Sequence, residues 1–321
     1  MQIFKKQSIL WYNLVFQQTK EYMSGSSKKA VLTAFAANSG IAIAKTAGAV
    51  ITGSGTLFAE ALHSFADCTN QVLLLIGMSQ ANRKPDDRHP MGYGKVGYFY
   101  SMCVAFLLFF IAGLASIQHG WEVFKHPEPV KYLGISIAIL LMSVALEGYA
   151  LWGALKGVKE ESPNSTLIEW FRETRNSELL IVVAEDTGAL VGLAIALIAL
   201  SATAITGNPI YDAIGTIMVG VLLIIVAINV MIEVKAMITG ESIGDEKEDE
   251  IVAFLNNQPE VDHVINIITQ QYGKDIMVAL KVHMKKAGSD VDLVRNIDSV
   301  EDRMQKQFKI KWSFFEPDIE K

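Results

Sequence analysis

Six stretches of roughly twenty mostly apolar residues run through this 321-residue chain, and they limit its architecture more than any motif does. They cover about Ala30–Val50, Thr56–Met78, Val96–Ile117, Leu133–Leu155, Glu178–Ser201 and Tyr211–Ile232. Runs of that length read as membrane-spanning helices, because a helix satisfies its own backbone donors and acceptors inside lipid. The composition agrees. Only 19% of the residues are charged against 51% hydrophobic, where soluble domains carry about a quarter charged residues. The expected fold is therefore an all-α transmembrane bundle of six helices over residues 30–240, followed by a small α+β domain over 241–321.

Lysine and arginine orient the bundle. Lys5, Lys6, Lys20, Lys28 and Lys29 precede the first span, Arg83, Lys84, Arg88 and Lys95 follow the second, and Lys156, Lys159, Arg172 and Arg175 follow the fourth. The turns after spans one and five hold no basic residue, and the loop after span three, with Lys125 and Lys131, is the least decisive. Both termini are thus expected on the cytoplasmic side. Residues 1–29 lack the uninterrupted apolar core of a signal peptide and read as an amphipathic segment on the membrane surface. With no transit peptide evident, a bacterial inner membrane is the expected location. Cys68 and Cys103 both fall within spans, in no pairing pattern, and are expected to pack. Between spans four and five, Leu167, Ile168, Trp170 and Phe171 give a connecting segment an apolar side that fits a short interfacial helix. Beyond Ile243 the order of elements reads αββαβ, with a hairpin turn at YGKD and an antiparallel sheet.

Ionisable residues inside spans are costly, and functional use is their default reading. This chain has Lys45, Glu60, His63, Asp67, Glu147, Glu185 and Asp186. In EALHSFAD, Glu60, His63 and Asp67 fall at i, i+3 and i+7, and His63 and Asp67 stand four apart, so one ion can touch both. Imidazole with carboxylate suits zinc and its first-row neighbours and is poor for potassium. Two more ligands must come from another helix, and Glu185 and Asp186 are the charges embedded in span five. A faint echo of AEALHSFAD in AEDTGALVG would set Glu185 where Glu60 sits, with Gly188 and Gly192 in place of the histidine and aspartate. Asn38 in span one is a further polar candidate. Lys45 and Glu147 are read as a pair or as snorkelling to an interface.

These residues resemble the cation diffusion facilitators. The shared features are EALHSFAD after TGSGTLFA, the loop RKPDDRHPMGYGK, and a tail ending FFEPD. The resemblance implies a homodimer in a lipid bilayer that exports divalent metal in exchange for protons by alternating access. It also implies a ferredoxin-like cytoplasmic tail, no cofactor beyond the transported ion, and a metal site between spans two and five. His63 and Asp67 carry over directly. The usual histidine–aspartate pair of span five is missing, so Glu185 or Asp186 stands in, which leaves manganese, iron and cobalt open beside zinc. Of the family's peripheral loop site, Asp86 and His89 match, while the last histidine is Tyr93. His263 and His283 are read as ordinary strand residues, although family tails often bind metal with such residues and with an acid such as Glu316. A membrane-anchored metal sensor and a passive cation channel are the competing readings. Hydrolase, transferase and nucleic-acid-binding motifs are missing from the sequence.

Overall fold

A computed structural model describes residues 25–318 apart from 164 and 175. The amphipathic segment expected over 1–29 lies, up to residue 24, outside the described residues. The helices are α1 (Gly25–Thr52), α2 (Gly55–Ala81), α3 (Val96–Lys125), α4 (Leu133–Glu161), a short α5 (Leu167–Glu173), α6 (Ser177–Thr206) and α7 (Ile210–Thr239). Among the described residues, four of them (α3, α4, α6 from Leu179, and α7) are long and apolar enough to cross a membrane. The helix α2 is as long, at 27 residues, but Glu60, His63, Asp67, Asn70 and Gln71 dilute its apolar character. Several spans outrun their expected ends. The third continues eight residues past Ile117 to Lys125, and α6 and α7 stop only at Gly207 and Gly240, whose φ values of +69° and +106° are left-handed helix ends.

Local chemistry fixes the other boundaries. α5 opens with a reciprocal capping box between Thr166 and Glu169 and buries Trp170 while leaving Ile168 exposed. The start of α2 is held by a residue distant in sequence. The carboxylate of Asp212, fully buried on α7, accepts from the Gly55 and Thr56 amides at 2.5 and 3.2 Å and from the Ser54 and Thr56 hydroxyls at 3.0 and 2.5 Å. A carboxylate facing the first amides of a helix satisfies donors that have no partner within the helix and meets its positive end.

The C-terminal unit runs α8 (Asp245–Asn256), β1 (Val261–Tyr272), β2 (Asp275–Met284), α9 (Asp290–Phe308) and β3 (Trp312–Pro317). This is the expected order, and the turn at Gly273 (φ +65°) pairs Tyr272 with Asp275. The sheet order is β1-β2-β3. The expected all-antiparallel sheet is corrected: β3 pairs with β2 in parallel, Met277 opposite Trp312. The helix α9 is the cause, since a crossover helix returns the chain in the same direction as the strand it left. Val278, Leu280 and Val282 alternate inward from β2 onto Ile251, Leu255, Val300 and Met304.

Candidate metal site

The polar groups of the bundle gather where α1, α2, α4 and α6 meet. His63 is buried, and its Nδ1 lies 3.7 Å from Asp67 Oδ1, too far for a hydrogen bond. Among the described residues, neither ring nitrogen of His63 has a hydrogen-bond partner, and neither does Asp67 Oδ1 or Asp186 Oδ2. Buried polar atoms in folded proteins are nearly always paired. A tetrahedral ion with bonds of about 2.0–2.1 Å holds its donors roughly 3.3 Å apart, so the gap between His63 and Asp67 is close to the width of an ion.

The remaining charges are otherwise engaged. Glu185 is held by the side-chain amide of Asn70. Glu60 Oε2 receives the ammonium of Lys45 at 3.1 Å, and Glu147 Oε1 stands 3.9 Å from the same nitrogen. The expected pairing of Lys45 with Glu147 is therefore secondary to one with Glu60. The carboxylates of Asp67, Glu185, Asp186 and Glu147 are near enough for their charges to interact. Asn38 is half-buried on α1, and its neighbour Ser39 approaches Cys68, next to Asp67, at 3.8 Å. That contact sets Asn38 level with Asp67.

Glu185 lies against Asn70, whereas Gly192 lies against Glu60, with Glu60 Oε1 3.1 Å from where a Cβ on Gly192 would stand. α2 and α6 therefore run antiparallel, as a second and a fifth span must, with Glu185 beside Asn70 and Gly192 beside Glu60. Gly188 faces Val226 of α7 instead of the His63–Asp67 pair.

Outside the bundle, Asp86 and His89 are neighbours at 3.3 Å, and Asp86 already accepts hydrogen bonds on both of its oxygens. Tyr93 donates to its Oδ2 at 2.6 Å, and the amides of His89 and Arg88 donate to its Oδ1 at 2.8 and 3.1 Å. The Tyr93 hydroxyl and these amides hold the Asp86 carboxyl below the usual carboxylate range. In the tail, His263 and His283 face each other across β1 and β2, and Asp262 Oδ2 lies 2.8 and 3.4 Å from their Nδ1 atoms. One ligand atom from each of the three falls within 4.8 Å of the others. Hydrogen bonding to His263 keeps Asp262 ionised to lower pH than usual. Glu316 pairs with Lys281, at 3.3 Å. Asp262 escaped the sequence reading because acids are common at strand ends, and only the register brings it to both histidines.

The family profile described as the cation efflux transmembrane domain matches residues 31–238. The mitochondrial proton-coupled zinc antiporter SLC30A9 of Xenopus laevis is 30% identical over 291 residues, covering 87% of this chain and 52% of that protein. Metal tolerance protein C4 of Arabidopsis thaliana is 32% identical over 249 residues, with coverage of 77% and 54%. Magnetosome protein MamB of Magnetospira sp. (strain QH-2) is 24% identical over 281 residues, with coverage of 86% and 88%. The chain thus spans about half the length of the first two of these relatives.

Proposed function

The chain belongs to the cation diffusion facilitator family, and from that premise we propose that it exports a divalent metal, zinc foremost, by exchange for protons. The observation that carries the reading is the set of buried, unpartnered atoms on His63, Asp67 and Asp186. In this reading these three residues form the core of the ligand set and close in when the ion binds, since among the described residues only the tail cluster already holds three ligand atoms within 4.8 Å of one another. Glu185 and Asn38 are within reach of the same level; Glu60 also has a buried unpartnered oxygen, Oε1, but in this reading the ion pair of its Oε2 with Lys45 keeps it from the metal. One imidazole with carboxylate oxygens is a harder set than two imidazoles, so manganese, iron and cobalt are the next cargoes.

The mechanism is alternating access. The cytoplasmic face, which carries the tail and the lysine-rich loops, admits the metal to deprotonated His63, Asp67 and Asp186. The bundle then opens the other way, and protons displace the ion, because a ligand atom cannot hold both. Imidazole titrates near neutrality in general, which makes His63 the natural carrier. In this reading α1 and α2 also span the membrane, for six spans in all. Two chains associate through ferredoxin-like tails, and both termini share the cytoplasmic face. That orientation serves a bacterial inner membrane and a mitochondrial one alike. The Asp262–His263–His283 cluster favours a second, regulatory metal in the tail.

The test is zinc flux in proteoliposomes under an imposed pH gradient. Flux should saturate and should accumulate zinc in the more acidic compartment, and His63→Ala or Asp67→Ala should abolish it without loss of fold. Flux that ignores the gradient points to a channel, and zinc binding without flux points to a sensor.

A further inference from the structure

One buried cation takes no part in this ligand set. Lys45 is fully buried on α1, and its ammonium donates to Ser64 Oγ at 2.9 Å and to Glu60 Oε2 at 3.1 Å, both on α2. Glu147 Oε1 of α4 stands 3.9 Å away. Two acceptors on α2 thus take two of the ammonium's hydrogens, and the Glu147 carboxylate of α4 stands at ion-pair distance from it. Glu60 lies a single turn from His63 on the same helix, which puts a carboxylate beside the metal ligands. Its Oε1 is buried and has no hydrogen-bond partner among the described residues.

Building on the metal reading above, we propose that Lys45 is a tethered counter-ion that withholds Glu60 and Glu147 from the transported ion and so sets how tightly the site holds its cargo. A divalent ion at His63, Asp67 and Asp186 meets two carboxylate charges, which balance its own. Adding Glu60 and Glu147 would double that negative charge. Affinity for hard and borderline cations rises with the number of charged ligands, and a transporter must also let its ion go. Lysine suits the task because it is a compact point charge on a flexible stem, and its backbone, fixed in α1, keeps it from leaving with the cargo. A role limited to gluing helices together predicts lower stability with affinity unchanged or weakened. The counter-ion role predicts tighter binding when the lysine charge is removed.

The experiment is calorimetric titration of zinc into the detergent-solubilised full chain, with the tail cluster silenced by His283→Ala, alongside zinc flux in proteoliposomes. Lys45→Met should bind zinc about tenfold more tightly and turn over more slowly. Adding Glu60→Gln to it should reverse both changes. Unchanged or weaker binding by Lys45→Met overturns the proposal. Should that variant fail to accumulate in membranes, Glu60→Gln decides alone. Affinity within about twofold of the parent supports a ligand set without Glu60, and a loss of about tenfold makes Glu60 a ligand and overturns the proposal. Asp67→Asn separates the two readings. If zinc still binds, the metal site itself is misplaced. If binding is lost while Lys45→Met leaves affinity unaltered, only the counter-ion falls.

Discussion

His63 and Asp67 were legible as a pair because a helix brings residues four apart to one point, whatever surrounds them. The identity of their partner was not legible. Glu185 and Asp186 are adjacent in sequence, and only the side chain of Asn70, folded against Glu185, leaves Asp186 with the free oxygen. The same limit applies to Glu60, whose spacing fits a ligand and whose actual partner, Lys45, lies fifteen residues away on another helix. Asp186→Asn removes a charged ligand and should weaken zinc binding by about a hundredfold, or ~2.7 kcal/mol. Glu185→Gln, changing a carboxylate already held by an amide, should cost much less. Calorimetric titration of both variants orders them, and the reverse order would move the ligand to Glu185.

Helices and loops show how distant residues decide local structure. The apolar runs marked the spans, but not the residue that starts α2. Asp212 is acidic in the first turn of α7, where it reads as an ordinary helix-start residue, yet its carboxylate serves the N-terminus of α2. Asp212→Ala strands buried donors at about 1–3 kcal/mol each and should lower the unfolding temperature sharply, with Asp212→Asn milder because an amide oxygen still accepts. Equal melting of parent and both variants would remove Asp212 from that role. The loop between α2 and α3 gives a second case. Tyr93 occupies the Asp86 oxygen that a metal would need. Tyr93→His frees that oxygen and adds a third ligand, so the variant should bind one more zinc per chain than the parent, counted by elemental analysis. The parent loop also carries a pH dependence. Asp86 is depressed in the folded state, so its contribution is present above the ordinary aspartate pKa and fades as pH falls through the lowered value. Acid below the ordinary aspartate pKa should therefore loosen this loop, read as a lower protection factor for the His89 amide.

For the molecule as a whole, the feature hidden from sequence is how the tail meets the bundle. The order αββαβ could be read from alternation and turn chemistry. The docking depends on two glycines, Gly94 of the GYGK stretch and Gly273 of the YGKD turn, whose motifs were legible but whose contact with each other was not. The β1–β2 turn enters the loop ahead of α3: Gly273 N donates to the Tyr98 hydroxyl at 3.0 Å, Lys274 to Asn82 Oδ1 at 2.6 Å, and Tyr272 to the Gly92 carbonyl at 3.2 Å. A Cβ on Gly94 would lie 2.5 Å from the Tyr272 carbonyl oxygen, and one on Gly273 would lie 2.7 Å from that of Gly94. Gly94→Ala should therefore lift the hairpin from the bundle, raising amide exchange over residues 271–275 while α9 stays protected. Unchanged exchange there would mean the contact is incidental. Export by this route requires one ion held between α2 and α6, and anomalous diffraction from the zinc-loaded protein locates it directly. The prediction is a peak inside the bundle within about 2.0–2.2 Å of a His63 ring nitrogen and of carboxylate oxygens from Asp67 and Asp186. A peak confined to the Asp262–His263–His283 cluster, with the bundle empty at saturating zinc, would contradict it.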